Sequence, residues 1–148
     1  MNLEISELEN IITKNLLSVN NLKNDIELKD WEKHDQLKDI SLNIFDILDS
    51  FERIEEGLIE KGFDQNVDAS KTMKRYKTIQ KKLLNLLLKY GITKIEFPDY
   101  RLIVGLCEVL ATKTDNSKGN DEIITIVRNG YILGDELFRA AQIIIVKN

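Results

Sequence analysis

Apolar residues recur at third or fourth positions over most of the first ninety residues, then give way to short alternating and continuous apolar runs. Ile5, Leu8, Ile12, Val19, Leu22 and Ile26 follow the 3–4 spacing, with Asn15 in one apolar slot. A polar residue in such a seam lowers stability but can fix register and strand number. Continuing that phase would put Lys29 and Lys33 at apolar positions, so the pattern breaks across "KDWEKHDQ". A second phase begins at Leu37 and runs Ile40, Ile44, Ile47, Phe51, Ile54, Leu58, a strict alternation of three and four that predicts a helix. The change of phase implies that the two parts face different partner surfaces.

"KGFDQNVDAS", Lys61 to Ser70, reads as a loop, with Asp68 or Ser70 available to cap the next helix. That helix carries Met73, Tyr76, Ile79, Leu83, Leu86, Leu87 and Tyr90 and stops at Gly91, a natural residue just past a helix end. Two amphipathic helices joined by a short loop form an antiparallel hairpin, which cannot cover its own apolar stripe. Two such hairpins can, as a four-helix bundle. After Gly91, "ITKIEF" alternates, "RLIVGLCEVLAT" is continuously apolar, and the last two runs are rich in β-branched residues. Short strands separated by turns predict a small β domain. Asn129-Gly130 and Gly134-Asp135 compete for a two-residue hairpin turn, and local chemistry does not choose between them.

The expected fold class is therefore α+β: a long N-terminal helix and a helical hairpin forming a dimeric four-helix bundle, followed by a small C-terminal β domain. Residues 1–91 make the helical dimerisation region, with its loop at about 61–70, and residues 92–148 the β domain. Dimerisation is expected through Ile40, Ile44, Ile47, Phe51, Ile54 and Leu58 on one helix and Tyr76, Ile79, Leu83, Leu86 and Leu87 on the other.

Charge narrows the function classes. A net charge of −4 lacks the concentrated basic face of a sequence-independent nucleic-acid binder. "KRYKTIQKK" is basic but short, on a helix whose other face the bundle needs. Cys107 alone permits no internal disulfide, which fits a reducing cytoplasm. No apolar run reaches the roughly 18 residues that cross a membrane, and "MNLEISELEN" is acidic, unlike a targeting segment. His34 has no companion ligands at metal spacing, so no metal is expected. Neither a phosphate-binding glycine loop nor a nucleophile beside a histidine is present, so the expectation is a protein without enzymatic activity, cofactor or small-molecule substrate.

The final stretch adds a resemblance. "NGYILGDELFRAAQIIIVK" resembles the C-terminal signature of the GrpE family, nucleotide exchange factors of DnaK-type chaperones, with Gly130, Tyr131, Leu133, Arg139, Ala141 and Val146 at matching positions. "FDILDSFERIEEGL" looks like the family's first bundle helix, in which Asp49 and Arg53 match an apolar–Asp–x–apolar–x–Arg pattern. "LLKYGITKIEF" is similar to the aromatic–Gly helix end that leads into the family's β domain. The resemblance implies that the hairpin closes at Gly134-Asp135, that Gly130 is a strand glycine at a bulge or close backbone contact, and that the β domain holds a chaperone's nucleotide cleft open. The implied partner is a DnaK-type chaperone engaged by a homodimer.

Departures accompany the matches. Asp99 corresponds to an Asp at the family's entry to the β domain, whereas Ile103 falls where a His is usual, and Glu136 where a basic, partner-touching residue is frequent. The resemblance gives Arg139, Glu136, Asp135, Asp99 and Val146 as partner-binding candidates. Arg139 is open between facing the partner and pairing a carboxylate inside the β domain; Tyr131 is read as core. Two further readings are a GrpE-like coiled-coil adaptor without exchange activity, suggested by Glu136 and Ile103, and an acidic dimeric chaperone that holds a client.

Overall fold

The computed structural model describes residues 2–148, with side chains from Leu3 onward. Helix α1, Asn2–Glu60, passes through the phase change at 29–36 without losing helical character. It belongs to two compact units, the first ending at Ile40 and the second being Ser41–Asn148. In the first unit every apolar side chain from Leu3 to Trp31 is exposed. These include the predicted seam and also Ile11, Leu16, Leu17 and Leu28 outside it. His34 lies edge-on to Trp31, ring centroids 6.4 Å apart, one helical turn away.

In the second unit α1 ends where Gly62 N–H donates to the Ile59 carbonyl at 2.9 Å. A short 3₁₀ turn, Phe63–Gln65, leads into α2, Val67–Lys89. The cap is Asn66, ahead of Asp68 and Ser70: its side-chain oxygen accepts from the backbone N–H of Asp68 and Ala69 at 3.0 and 3.2 Å. Residues 67–70 are thus the first turn of α2. That Asn serves here is ordinary capping chemistry, shared by all three of these residue types. α2 packs back on α1 through Phe51 and Tyr76, ring centroids 6.1 Å apart, and through a Lys77–Glu55 ion pair at 2.9 Å. It stops as predicted, with Gly91 at φ +79.

Six strands follow: β1 Ile92–Lys94, β2 Cys107–Lys113, β3 Ile123–Arg128, β4 Tyr131–Leu133, β5 Glu136–Arg139 and β6 Ala141–Val146. They form two three-stranded sheets, ordered β1-β4-β5 and β2-β6-β3. β6 is the middle strand of the second sheet, parallel to β2 and antiparallel to β3. Its flanked position explains the β-branched run at 143–146, where Ile143, Ile145 and Val146 are buried. The core between the elements is Ile95, Phe97, Ile123, Ala141, Ile143 and Ile145. Ile103 packs against that core as an apolar side chain closing the chain's own interior.

The long helix contributes a stripe that its periodicity did not reveal. Ser41, Phe45 and Leu48 are buried, and Phe45 stacks on Tyr131 with centroids 3.9 Å apart and planes 6° from parallel. Of the expected dimer stripe, Ile40, Ile47, Ile54, Tyr76, Ile79 and Leu86 are exposed, Ile44, Phe51, Leu58 and Leu83 are half-buried, and Leu87 is buried. The chain is α+β, as expected. Among the described residues no helix is long and apolar enough to cross a membrane.

Candidate functional site

Two short segments carry the chain between the sheets: Asn129-Gly130 between β3 and β4, and Ala140 between β5 and β6. Between these crossings lies the hairpin β4–β5. Leu133 pairs with Glu136, and Gly134-Asp135 is the two-residue turn, with Gly134 at φ +57. That is the first central position, where hairpin turns of type II′ use glycine. Asn129-Gly130 is therefore no hairpin turn. A Cβ on Gly130 would overlap Ala141 N and would lie 2.7 Å from Ile95 Cδ1 and 2.8 Å from Arg139 O, so the two crossings can touch only through a glycine. Gly130 is not the strand glycine expected, since β4 begins at Tyr131, but the expected close backbone contact is there, and the ladder shifts register just beyond it, between Tyr131 and Ile132.

Arg139, at the end of β5, reaches both crossings and the helix. Its Nη1 donates to Asp49 Oδ2 at 2.8 Å and its Nη2 to Asp49 Oδ1 at 2.7 Å, a two-pronged grip on one carboxylate. Its Nε and Nη2 donate to the Asn129 carbonyl at 3.0 and 2.7 Å. Its guanidinium carbon is 5.3 Å from the centroids of both Phe45 and Tyr131. Equal distances to two stacked rings place it beside the stack rather than over an outer face, so it shields the rings' edges from water.

Arg128, at the end of β3, joins the same cluster. Its Nε donates to Asp49 Oδ2 at 2.9 Å and its Nη2 to Asp46 Oδ1 at 2.8 Å. Asn129 Nδ2 donates to Glu52 Oε1 at 2.6 Å. Asp46, Asp49 and Glu52 lie three residues apart, hence on one face of α1. Burial pushes the Asp49 carboxyl up, but hydrogen bonds from Arg139 and Arg128 outweigh it and hold the group below its ordinary value. Burial also pushes Glu52 up, and there the bond from Asn129 is too small an offset while the Asp49 charge adds to the rise. Arg128 is raised by its hydrogen bond to Asp49, and burial, helped by the charge of Glu52, raises the Tyr131 hydroxyl. Arg53 is exposed along an open groove edged by Ser50, Glu56, Val127 and Gln142.

The remaining candidates are spread over the β strands and their connections. Asp135 and Glu136 are exposed at the hairpin tip. Asp99 is exposed in the turn closed by Tyr100 N–H donating to the Phe97 carbonyl at 3.0 Å. Val146 is fully buried at the end of β6, and Ala141 is buried in the core. Leu133 is half-buried and packs beside Gly91. Arg139 is almost buried, with 10% of its side chain exposed. Sequence reasoning missed Arg128, Asn129, Phe45 and Leu48. The only local signal was an arginine at a strand end and an apolar pair off the helix's main phase.

The family model described as GrpE matches residues 1–147. The chain belongs to the GrpE family. It is 30% identical over 102 residues to Protein GrpE of Ehrlichia canis (strain Jake), a match covering 69% of this chain and 49% of the relative. Protein GrpE of Ehrlichia chaffeensis (strain ATCC CRL-10679 / Arkansas) is 29% identical over 102 residues, covering 69% of this chain and 48% of the relative. This GrpE-family chain thus spans about half the length of the curated relatives it matches. The carboxylates and arginines described above are the side chains that anchor its β4–β5 hairpin to α1.

Proposed function

We propose that this GrpE-family chain is a non-enzymatic nucleotide exchange factor that works in the cytoplasm as a homodimer. It binds the ATPase domain of a DnaK-type chaperone and promotes release of ADP. The observation that carries the reading is family membership across residues 1–147. The geometry supports it through the β4–β5 hairpin, whose tip projects the acidic Asp135 and Glu136 while its base is anchored to α1. The tip, with Asp99 as a second exposed candidate, is the contact surface; Arg139 acts behind it. Residues 1–91 form the dimerisation region and 92–148 the partner-binding domain. The apolar positions left exposed on α1 and α2, Ile47, Ile54, Ile79 and Leu86 among them, supply the dimer's faces.

Exchange needs only differential binding. A factor that prefers the nucleotide-free ATPase domain a hundredfold over the ADP-bound one lowers ADP affinity by the same hundredfold, worth about 2.7 kcal/mol. A second reading, an adaptor that binds the chaperone without driving exchange, is favoured by Glu136, an acidic side chain where family members frequently carry a basic one.

Charge reversal at the tip tests the contact. Glu136→Lys should change affinity for the nucleotide-free ATPase domain of the same organism's chaperone by roughly tenfold, the scale of one interfacial charge pair: a loss means the partner matches the acidic tip, a gain that it presents the surface a basic residue meets. Titration calorimetry giving unchanged affinity for a folded variant would move the contact away from the hairpin.

A further inference from the structure

The helix and the β strands are held together in two physically different ways. Phe45 stacks on Tyr131, and Leu48 is buried one helical turn further on; such apolar burial is non-directional and tolerates sliding. The cluster at Asp49 is directional: a planar fork fixes the angle of the carboxylate it grips. Asp49 receives that fork from Arg139 and a third bond from Arg128, so β3 and β5 are both tied to one carboxylate of α1. Glu52 holds Asn129, whose carbonyl in turn accepts from Arg139. Both sheet crossings at the base of the hairpin are therefore fastened to one face of the helix. Chain connectivity alone would leave that base free to swivel, because residues 61–128 separate the end of α1 from the first crossing.

We infer that Asp49, gripped by Arg128 and Arg139, is a positioning residue that fixes the direction of the β4–β5 hairpin relative to residues 41–60 of α1, and thereby sets how strongly this chain distinguishes the nucleotide-free from the ADP-bound chaperone. The functional half rests on the exchange reading above. A rigid wedge fits one cleft opening and is refused by the other. A swivelling wedge follows the cleft, binds both forms, and loses the differential on which exchange depends. Loss of the clamp therefore lowers coupling more than affinity.

The measurement is the affinity of the full chain for the chaperone ATPase domain, nucleotide-free and with saturating ADP, for the wild type, Asp49→Asn and Arg139→Lys. Arg139→Lys keeps the charge but cannot form the fork. Both variants should keep nucleotide-free binding within about threefold, while the ratio of the two affinities falls roughly tenfold. An unchanged ratio in the folded variants overturns the inference, as does an equal loss in both states, and so does full function of Arg139→Lys. Should Asp49→Asn not fold, Arg128→Ala carries the same test, since it removes one grip and leaves the bidentate pair. A wild type with equal affinity for both states would instead overturn the exchange reading. The clamp is then decided by amide hydrogen exchange in free Asp49→Asn, where unchanged protection at Gly130 and Tyr131 rejects it.

Discussion

Arg139 directs its hydrogen bonds inside its own chain, to both oxygens of Asp49 and to the Asn129 carbonyl, beside two aromatic rings. A guanidinium this far from water is tolerable only when paired and hydrogen-bonded. Among the described residues, no buried side-chain nitrogen or oxygen lacks a partner. The carboxylates of this cluster have opposite pH behaviour. Asp49 titrates below its ordinary 3.8, so its stabilising contribution is complete above that value and disappears as pH falls through the lowered one. Glu52 titrates above its ordinary 4.5, so its ionisation opposes folding at neutral pH. That penalty is relieved as pH falls from the raised value towards 4.5. Denaturant unfolding against pH should register both. Asp49→Asn should cost about 2–3 kcal/mol at pH 7, because it leaves two arginines underpaired. Glu52→Gln, which can still accept from Asn129, should add up to about 1 kcal/mol at pH 7 and nothing near pH 4. Loss of stability in Glu52→Gln at pH 7 would contradict this assignment.

Helix α1 carries two apolar stripes, one buried within residues 41–148 and one left exposed. The strict 3–4 series from Leu37 to Leu58 is legible in the sequence, and so is the stop at Gly91, whereas the turn at Gly134-Asp135 followed only from the family resemblance, local chemistry leaving Asn129-Gly130 as its rival. Phe45 and Leu48 were not legible: they sit one residue past Ile44 and Ile47, where a single-phase reading assigns the flank of the same stripe. The parallel pairing of β2 with β6 was equally hidden, since nothing local specifies so distant a partner as Ala141 for Cys107. Arg128 and Asp49, 79 residues apart, present the same difficulty. The two stripes predict different behaviour from neighbouring truncations. Phe45→Ala should lower unfolding free energy by about 3–4 kcal/mol at any protein concentration, because it empties a fully buried ring site. Ile47→Ala, half exposed in the single chain, should change the protomer by less than about 1 kcal/mol. Its effect should instead be a weaker dimer by sedimentation. If Ile47→Ala leaves self-association untouched, the stripe from Ile40 to Leu58 has another use.

Each of the two units contributes its own feature: exposed apolar side chains from Leu3 to Trp31 in the first, and in the second a β4–β5 hairpin hydrogen-bonded at its base to Asp49 of α1. The family assignment spans both parts. In the exchange reading the helices pair the protomers, and the hairpin enters the partner. The most direct test is the release rate of a fluorescent ADP analogue from the same organism's DnaK-type chaperone, with and without the full chain. Release should be accelerated by roughly a hundredfold at saturation, taking the illustrative hundredfold loss of ADP affinity in the dissociation rate, where most affinity differences lie. Release at the unassisted rate, with the chain demonstrably bound to the chaperone, would contradict the exchange reading and leave the adaptor in its place.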